Sequence, residues 1–488
     1  MIACVGEFWV AVTERGGLVV QGLNEGGQLG LGTQDAAPQP RFLGGVGPIE
    51  GDGVAELAGG MEALALLDDL APGAPAAALA HPFGRKVAMV ASGDEHTICV
   101  TDDGAVWAWG HNESGVLGIS HMQTPGQPAQ NVRVRGSSVP LRWGPELCNG
   151  APVRMVACGD FHTLVLTRAG EVWACGNGYH GQTGCPLLRA SMRTPERVQG
   201  LPAVVHLVAA GAHVSGAVGE DGQVWMWGDC RLCRLGFPPA TPDLRAIVAP
   251  TPLTLAAFDG EPVVHLSLGC FQSAAVTKTG ALWVWGGNNH GGLGLGDTAD
   301  RPIPTLVAAT WGGSSVAMAA CGYFHQVILT EDGGVWTCGR AENGLLGRED
   351  ARDTWTPVRL APEVFGGAKI VFVAAGTYYA FAVTAEGLLY FWGCSAIYPH
   401  VRVQRTPTPV AESLAPGQRI GRSCGIPRRH AVAFCMGLHA GLGVQATNRV
   451  LGSDTAGAVV ARGVRLDGDL AHMGEGLLRQ LAVRARRN

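Results

Sequence analysis

The chain has little charge of either sign and no long uninterrupted apolar run. Charged residues make up 15% of its 488 residues, and the formal net charge is -5. Tight nucleic-acid binding depends on many Lys and Arg side chains that neutralise phosphates, so this balance argues against a direct nucleic-acid partner. No window holds the roughly 18 apolar residues of a membrane-spanning helix, so no membrane association is expected. The first residues also lack the cationic stretch and apolar run of a secretion signal, and we therefore expect an intracellular protein, cytoplasmic or nuclear.

Glycine is abundant, and its spacing defines a repeated unit. One Gly opens each unit and another closes it, always 17 residues later. The six pairs are Gly93/Gly110, Gly159/Gly176, Gly211/Gly228, Gly269/Gly286, Gly322/Gly339 and Gly376/Gly393. A slightly shorter seventh copy occupies residues 6–22. Self-similarity at about fifty residues indicates a repeat architecture, in which each unit buries its apolar face against its neighbours.

Each unit contains the pattern of a β-hairpin. In the second copy Ile98 and Val100 precede, and Val106 follows, the turn Asp102-Asp103-Gly104. Apolar residues at every second position around a tight Gly turn are typical of two antiparallel strands. Paired aromatic residues follow the turn in several copies: Trp107/Trp109, Trp225/Trp227, Trp283/Trp285 and Tyr390/Trp392. Small sheets repeated with periodic Gly and aromatic marks predict an all-β propeller of radial blades.

The repeat resembles that of the regulator of chromosome condensation family over nearly the whole chain. The resemblance rests on the run ACGDFHT at residues 157–163, the hairpin, and the Trp and closing Gly that follow. It implies a seven-bladed β-propeller, a ring closed by N- and C-terminal strands, spanning residues 1–437 with insertions at about 33–85 and 119–150. Residues 438–488 are then a closing segment and a tail that contains several arginines.

Two further segments look like degenerate copies. Residues 54–69 match the first half of a unit but lack its Trp-Gly half, so they are either a decayed repeat or an insertion. Residues 423–434 form a partial last copy, which we expect to supply strands that the first copy lacks. The final arginines are expected to form a solvated tail, an anion-binding segment or a nuclear address: Arg479, Arg484, Arg486 and Arg487.

The fourteen cysteines do not predict disulfides, a metal site or a cofactor site. Five of them occupy predicted strand positions where other copies carry apolar residues: Cys99, Cys158, Cys175, Cys321 and Cys338. They are therefore interpreted as core residues in a reducing compartment. Cys230 and Cys233 form a lone CxxC with no second pair of ligands, so no metal is expected. The glycine-rich run at 291–296 precedes no helix, so no nucleotide cofactor is expected either.

The candidate partner-binding residues lie in the loop after each opening glycine. In exchange factors of the resembled family, Asp and His residues of this loop face a small GTPase. The residues of this chain that match, together with their neighbours, are Asp94, Glu95, His96, Asp160, Phe161, His162, Tyr323, Phe324 and His325. The histidines have an alternative role, which is to fix the loop by hydrogen bonds to its neighbours. For the aspartates the alternative is an Asx-turn bond.

Two functions from different classes remain open. The first is a non-catalytic platform whose blade loops and insertions bind another protein. The second is a guanine-nucleotide exchange factor for a Ran-like GTPase, which acts by stabilising the nucleotide-free state. Exchange factors of the family carry a protruding β-wedge after the Trp-Gly of an early blade, whereas residues 110–118 have the ordinary repeat length. The platform is therefore favoured, and the insertion at 119–150 is either a substitute protrusion or a plain surface loop.

Other members of the resembled family have functions that this sequence does not favour. Plant ultraviolet-B photoreceptors place Trp directly before the His-Thr pair, where this chain has Glu95, Phe161 and Phe324. Photoreception is therefore not expected. No catalytic constellation stands out, so the chain is not expected to be an enzyme in the bond-making sense.

Overall fold

Seven four-stranded antiparallel sheets make up the part of the chain that the computed structural model describes. That part comprises residues 2–5, 7–13, 16–43, 83–122, 132–185, 191–238, 244–350, 352–394 and 403–410. In six sheets the strands are hydrogen-bonded in chain order, and in the second a short hairpin is inserted before the last strand. The predicted all-β seven-bladed propeller is confirmed. We number the blades 1 to 7 in chain order.

The strands of blades 1 to 3 follow the predicted hairpins, each with one further strand on the outside. Their bounds are β1 (Ile2–Val5), β2 (Phe8–Val12), β3 (Leu18–Gly22), β4 (Ala37–Leu43), β5 (Val87–Ser92), β6 (His96–Thr101), β7 (Val106–His111), β8 (His121–Met122), β9 (Val132–Arg133), β10 (Gly136–Arg142), β11 (Val153–Cys158), β12 (His162–Thr167), β13 (Val172–Gly176) and β14 (Met192–Arg197). The short strands β8 and β9 pair only with each other, and β10 pairs with β7 as the outer strand of blade 2.

Blades 4 to 7 repeat the same four-strand arrangement. Their bounds are β15 (Val205–Ala210), β16 (Val214–Gly219), β17 (Val224–Asp229), β18 (Ala246–Leu253), β19 (Val263–Leu268), β20 (Gln272–Thr277), β21 (Leu282–Gly286), β22 (Arg301–Leu306), β23 (Val316–Cys321), β24 (His325–Thr330), β25 (Val335–Gly339), β26 (Thr354–Arg359), β27 (Ile370–Ala375), β28 (Tyr379–Thr384), β29 (Leu389–Gly393) and β30 (Gln404–Pro409). Short 3₁₀ turns occur at Leu147–Gly150, Arg231–Cys233, Leu255–Phe258, Trp311–Gly313, Glu342–Gly344 and Pro362–Phe365.

Blade 1 corrects one expectation about how the ring closes. All four of its strands come from residues 2–43, so it lacks no strand that a C-terminal copy would have to supply. Closure instead joins two complete blades: the Tyr379 hydroxyl of blade 7 donates to the Phe8 carbonyl of blade 1 over 3.0 Å. The physical reason is that residues 2–5 are apolar and reach far enough to form the inner strand themselves. The predicted copy at 423–434, the segment 54–69, the domain boundary at 437/438 and the C-terminal arginines lie outside the described residues.

The second aromatic of each pair connects neighbouring blades. Trp109 and Trp227 are fully buried, and each indole N–H donates to a backbone carbonyl in the segment after the closing Gly of the preceding blade, over 2.8 and 2.9 Å. Trp285 and Trp392 repeat this bond. Where Cys replaces Trp, the sulfur of Cys175 lies 3.5 Å from the equivalent carbonyl. These residues therefore join burial of a large apolar surface to a satisfied polar group.

The opening and closing glycines are required by close backbone contacts. A Cβ on Gly159 would lie 2.3 Å from the Gly211 carbonyl of the next blade, because the opening glycines pack around the central axis. Gly176 has φ +106°, and a Cβ there would lie 2.5 Å from the Phe161 carbonyl. A side chain is sterically excluded at both places, which explains the fixed spacing of 17 residues in the sequence.

The outer strand of every blade contains proline and an irregularity in its pairing. The prolines are Pro38, Pro40, Pro140, Pro195, Pro250, Pro252, Pro302, Pro304, Pro357, Pro407 and Pro409. In each of the seven outer strands the register with the neighbouring strand also shifts. Proline has no N–H to offer to a further strand, so these edges are poor templates for sheet extension.

Side chains at the start of each second strand join the blades near the axis. The Nε2 atom of His96 lies 3.1 Å from the Thr163 hydroxyl of the next blade, and Nε2 of His162 lies 2.8 Å from the Ser215 hydroxyl. His325 in blade 6 is equally buried, but neither ring nitrogen has a hydrogen-bond partner among the described residues. The reason is that blade 7 carries Ala380, without a hydroxyl, at the place of Thr163 and Ser215.

We expect Ala380→Ser to stabilise the ring. The new hydroxyl would reach Nε2 of His325, and satisfying a buried polar atom contributes about 1 kcal/mol, or roughly 2 °C in melting temperature. Chemical denaturation of the variant beside the parent protein measures this. The control is Ala382→Ser on the same buried strand, where no vacant polar group is present and where we expect destabilisation. Equal or lower stability of Ala380→Ser would contradict the assignment of this gap.

Candidate protein-binding face

The antiparallel arrangement places all candidate residues on one side of the ring. Within a blade, the connections from first to second strand and from third to fourth strand emerge on the same side, which we call the loop face. The first set, which we call the axial loops, comprises residues 93–95, 159–161, 211–213, 269–271, 322–324 and 376–378. Adjacent axial loops are joined directly, since the Asp94 N–H donates to the Asp160 carbonyl and the Asp160 N–H donates to that of Ala212, both over 3.3 Å.

Half-exposed aromatic rings occupy the same position in successive axial loops. The residue directly before the second strand is Phe161, His213, Phe271, Phe324 and Tyr378 in blades 3 to 7. With Tyr323 we call them the aromatic arc. The Phe271 and Phe324 rings stack with centroids 5.4 Å apart, and the Phe161 and His213 rings stack at 6.3 Å. Tyr323 packs edge-on against Phe324 at 4.2 Å, so the arc is continuous across blades 5 and 6.

Acidic residues take this position in blades 1 and 2. They are Glu7 and Glu95, both partly exposed. The Glu95 carboxylate lies 3.5 Å from Nδ1 of His111. Beside it a cleft of about 520 Å³ separates blades 1 and 2 and is lined by polar residues that include Glu25, Glu113 and Arg135. The loop face therefore has an acidic sector over blades 1 and 2 and an aromatic sector over blades 3 to 7.

Four of the nine candidate residues are buried. His96 is 1% exposed, His162 and His325 are fully buried, and Asp160 is 2% exposed. Burial lowers the pKa of His162 to about 3 and that of His325 to about 4, so both rings are neutral at pH 7. The bonds of His96 and His162 across the blade seam fit the alternative in which histidines fix the loop. A partner that leaves the blades in place does not reach these rings.

The other five candidates are half-exposed at the loop face: Asp94, Glu95, Phe161, Tyr323 and Phe324. Their contact with a partner stays a prediction. The structure joins Tyr323 and Phe324 to Phe271 and Tyr378, which the sequence analysis did not select, and joins Phe161 to His213 in the same way. The spacing in the sequence could have identified them, because each lies two positions after an opening Gly. Tyr323 is the exception and lies one position after it.

Metal and thiol chemistry receive no positive support at this face. Among the residues that the structure describes, no three His, Cys, Asp or Glu side chains are grouped to hold a metal ion. The Cys230 thiol of the CxxC pair donates to the Leu244 carbonyl over 3.0 Å. None of the helices in the described ranges has the length and apolar character that crossing a membrane requires.

Family models match the chain along most of its length. The model described as an RCC1-like domain matches residues 1–319. Models of the regulator of chromosome condensation (RCC1) repeat match residues 319–344 and 332–383. These matches reach from blade 1 into the second strand of blade 7, and they agree with the resemblance drawn from the repeat itself.

Curated relatives and solved structures give the same fold. The chain is 30% identical over 311 residues to the ultraviolet-B receptor UVR8 of Arabidopsis thaliana, which covers 63% of this chain and 65% of that protein. It is 32% identical over 269 residues to the secretion-regulating guanine nucleotide exchange factor of Mus musculus, 54% of each. The chain thus spans less than two thirds of these relatives. The structure of Prp20p from Saccharomyces cerevisiae, described with its binding to Gsp1p and histones, aligns at TM-score 0.61 and 22% identity, covering 84% of this chain and 87% of that one.

Acidification is expected to destabilise the ring through its buried histidines. The pKa of His162 is lowered to about 3, and those of His265 and His325 to about 4, chiefly by burial. The unfolded chain, with ordinary His pKa values near 6.5, takes up these protons first. Each histidine therefore costs about 1.4 kcal/mol of stability per pH unit between about pH 6.5 and 4.

Urea unfolding at pH 7, 6 and 5 measures this dependence. His162→Gln removes one such group and is expected to flatten the slope by about the share of one histidine. Stability that does not change between pH 7 and 5, or an unchanged slope in His162→Gln, would show that these rings are not held neutral by burial.

Proposed function

This chain belongs to the RCC1-like domain family, and we propose that it is a non-catalytic platform that binds a protein partner on its loop face. The observation that carries the proposal is the aromatic arc. Its rings are half-exposed and mounted on short loops. Phe161 stacks on His213, and Phe271, Tyr323, Phe324 and Tyr378 form a second group of rings in contact. Exposed aromatic groups on a rigid scaffold are typical of protein interfaces, because they bury large surfaces at low entropic cost.

The rigidity of the arc supports binding without rearrangement. Each axial loop has three residues between strands, and its ends are fixed by the opening Gly and by the buried second strand. Phe324 also packs against His290 with ring centroids 4.5 Å apart, which connects the arc to the loop of blade 5. A partner therefore meets a pre-organised surface, and affinity is not spent on ordering loops.

Substitution in the arc is expected to abolish partner capture while leaving the ring folded. Immobilised parent protein and the double variant Phe324→Ala/Tyr378→Ala are exposed to cell extract, and retained proteins are quantified by mass spectrometry. Loss of two central aromatic contacts is expected to reduce recovery of the specific partner at least tenfold, which corresponds to about 1.4 kcal/mol. The matched control is Ile303→Ser, which removes an apolar side chain that is 56% exposed on the outer strand of blade 5. A partner retained equally by the double variant would sink the proposal.

A second candidate function is nucleotide exchange on a small GTPase. It is favoured by the likeness to the secretion-regulating exchange factor and by Asp94, which is half-exposed in the axial loop of blade 2. The paired strands β8 and β9 in the insertion also supply a short hairpin on the loop face next to blade 2. Asp160, the other matching aspartate, is 2% exposed and is less available to a GTPase.

Release of a fluorescent guanine nucleotide from a panel of small GTPases, including one of the Ran type, tests this alternative. An exchange factor is expected to accelerate release, and Asp94→Asn is expected to slow the accelerated rate at least tenfold at unchanged melting temperature. Asp102→Asn is the matched control, because Asp102 is an exposed aspartate at a hairpin tip on the opposite side of the ring. No acceleration by folded protein across the panel would leave the platform as the function.

A further inference from the structure

Blade 4 carries a group of charged side chains in the segment that follows its closing glycine. In blades 1, 2 and 5 an Asn two positions after the closing Gly accepts a hydrogen bond from a Leu N–H five residues later: Asn24, Asn112 and Asn288. The corresponding stretch of blade 4 holds Asp229, Arg231 and Arg234. In blade 4 the position of that Asn is taken by Cys230, and the three charged side chains lie around it at the loop face.

Asp229 is saturated by one of the two arginines. Its carboxylate is fully buried and accepts bonds from Arg231 through Nε at 2.9 and 3.0 Å and Nη2 at 2.6 Å, and from the Arg231 backbone N–H at 2.9 Å. Burial alone would raise the pKa of Asp229, but Arg234 and Arg231 outweigh it and hold the pKa well below its usual range. The pair of Asp229 and Arg231 is therefore complete without a further donor.

Arg234 is the second cation, and one of its N–H donors, Nε, is not used. The residue is only 6% exposed, and Nη1 lies 3.5 Å from Oδ2 of Asp229, at the limit of a hydrogen bond. Its Nε atom is buried and has no hydrogen-bond partner among the described residues. The guanidinium lies over the Phe271 ring, 5.1 Å from the centroid. A buried cationic N–H without an acceptor is costly, which makes this group a donor prepared for an anion.

The surroundings of Arg234 are the axial loops of blades 4 to 6. Burial lowers the pKa of His213 well below its usual value, so that ring is neutral and adds no competing charge. Burial raises the pKa of the Cys270 thiol to about 12; Arg234 opposes this rise, whereas Asp160 and Asp229 add to it. Arg234, Asp160 and Asp229 therefore all lie close enough to Cys270 to influence the pKa of its thiol. Asp160 and Asp229 belong to the ring itself, and both are buried.

We propose that Arg234 is a receptor for a carboxylate, namely an Asp or Glu side chain that a protein partner inserts into the aromatic arc between His213 and Phe271. The inference rests on the proposed function, since it assumes that the loop face receives a protein. The bond would be charge-assisted and formed in a largely apolar setting, where such bonds are stronger than in water. The arc would bury the apolar residues that flank the carboxylate, and Arg234 would select for the acid between them.

Two short peptides test the receptor without knowledge of the partner. The probes are acetyl-Leu-Glu-(4-fluoro-Phe)-Leu-amide and its counterpart with Gln in place of Glu, and binding is read from the fluorine NMR signal. The parent protein is expected to bind the Glu probe at least about tenfold more tightly, as a charge-assisted bond requires. Arg234→Met is expected to remove this preference.

The matched control is Arg359→Met. Arg359 has the same chemistry as Arg234, since its guanidinium pairs with Asp332 at 2.9 Å and lies 5.9 Å from the Trp336 centroid, but Asp332 belongs to a hairpin tip on the opposite side of the ring. This variant is expected to keep the preference for the Glu probe. Equal binding of both probes by the parent protein, no binding of either, or a preference that survives in Arg234→Met would each overturn the receptor.

A second substitution covers the case in which Arg234→Met does not fold. Arg234→Lys keeps the charge but lacks the Nε donor, and Asp229 remains held by Arg231 in both variants. The preference is expected to fall to about threefold in the Lys variant, since Lys acts as a point charge without a planar fork; an unchanged preference would overturn the role of Nε. Partner capture by the parent protein separates the two proposals. Capture together with equal binding of both probes removes the receptor but leaves the platform. No capture, together with a Glu preference that Arg234→Met abolishes, removes the platform but leaves the carboxylate site.

Discussion

Six of the seven seams depend on one backbone carbonyl among the described residues, which lies in the segment after a closing glycine and accepts bonds from the next blade. At Gln28 this carbonyl receives both the Thr97 hydroxyl and the Trp109 indole N–H, each over 2.8 Å. The same double acceptance recurs at Gln182 with Ser215 and Trp227. A blade cannot bury its apolar surface alone, so the seams carry the stability. At four seams a fully buried Trp ring is coupled to a satisfied polar group, and at two others Cys175 and Cys338 take the place of the Trp. Positions away from this seam, including the rims of the axial loops, are left free to vary.

Most of the fold could be predicted from the sequence because the paired glycines recur at a fixed spacing. Opening and closing glycines mark places where a Cβ would collide with backbone, and steric exclusion of that kind leaves a visible mark in a sequence. One expectation about closure was wrong, namely that a partial copy near the C-terminus supplies strands to blade 1. Residues 2–5 form the inner strand themselves, and so short an apolar run is a weak strand signal in a sequence. The repeat pattern does not distinguish a copy that forms all four strands of its blade from a copy that takes a strand from elsewhere in the chain.

The candidate site was predicted in part, for a related reason. Position in the repeat identified the axial loops, but it could not tell which side of a loop residue meets solvent: His162 points into the seam, and its neighbour Phe161 does not. His213, Phe271 and Tyr378 became recognisable only when adjacent loops came together around the axis. Arg234 has no counterpart in the other blades, so no comparison between copies could select it. It stands out in the structure because Arg231 already makes several hydrogen bonds to the Asp229 carboxylate, whereas the Nε–H of Arg234 beside it has no partner among the described residues.

The prolines on the outer strands have a consequence for how this molecule can change partners. A sheet with an open edge recruits other chains through its backbone, and backbone pairing is nearly indifferent to side chains. On the seven outer strands that the structure describes, proline and shifted register disfavour such growth, so association through side chains is favoured. Substituting a few loop residues can then change which partner is bound, while the sheet edges that disfavour fibrous self-assembly stay the same.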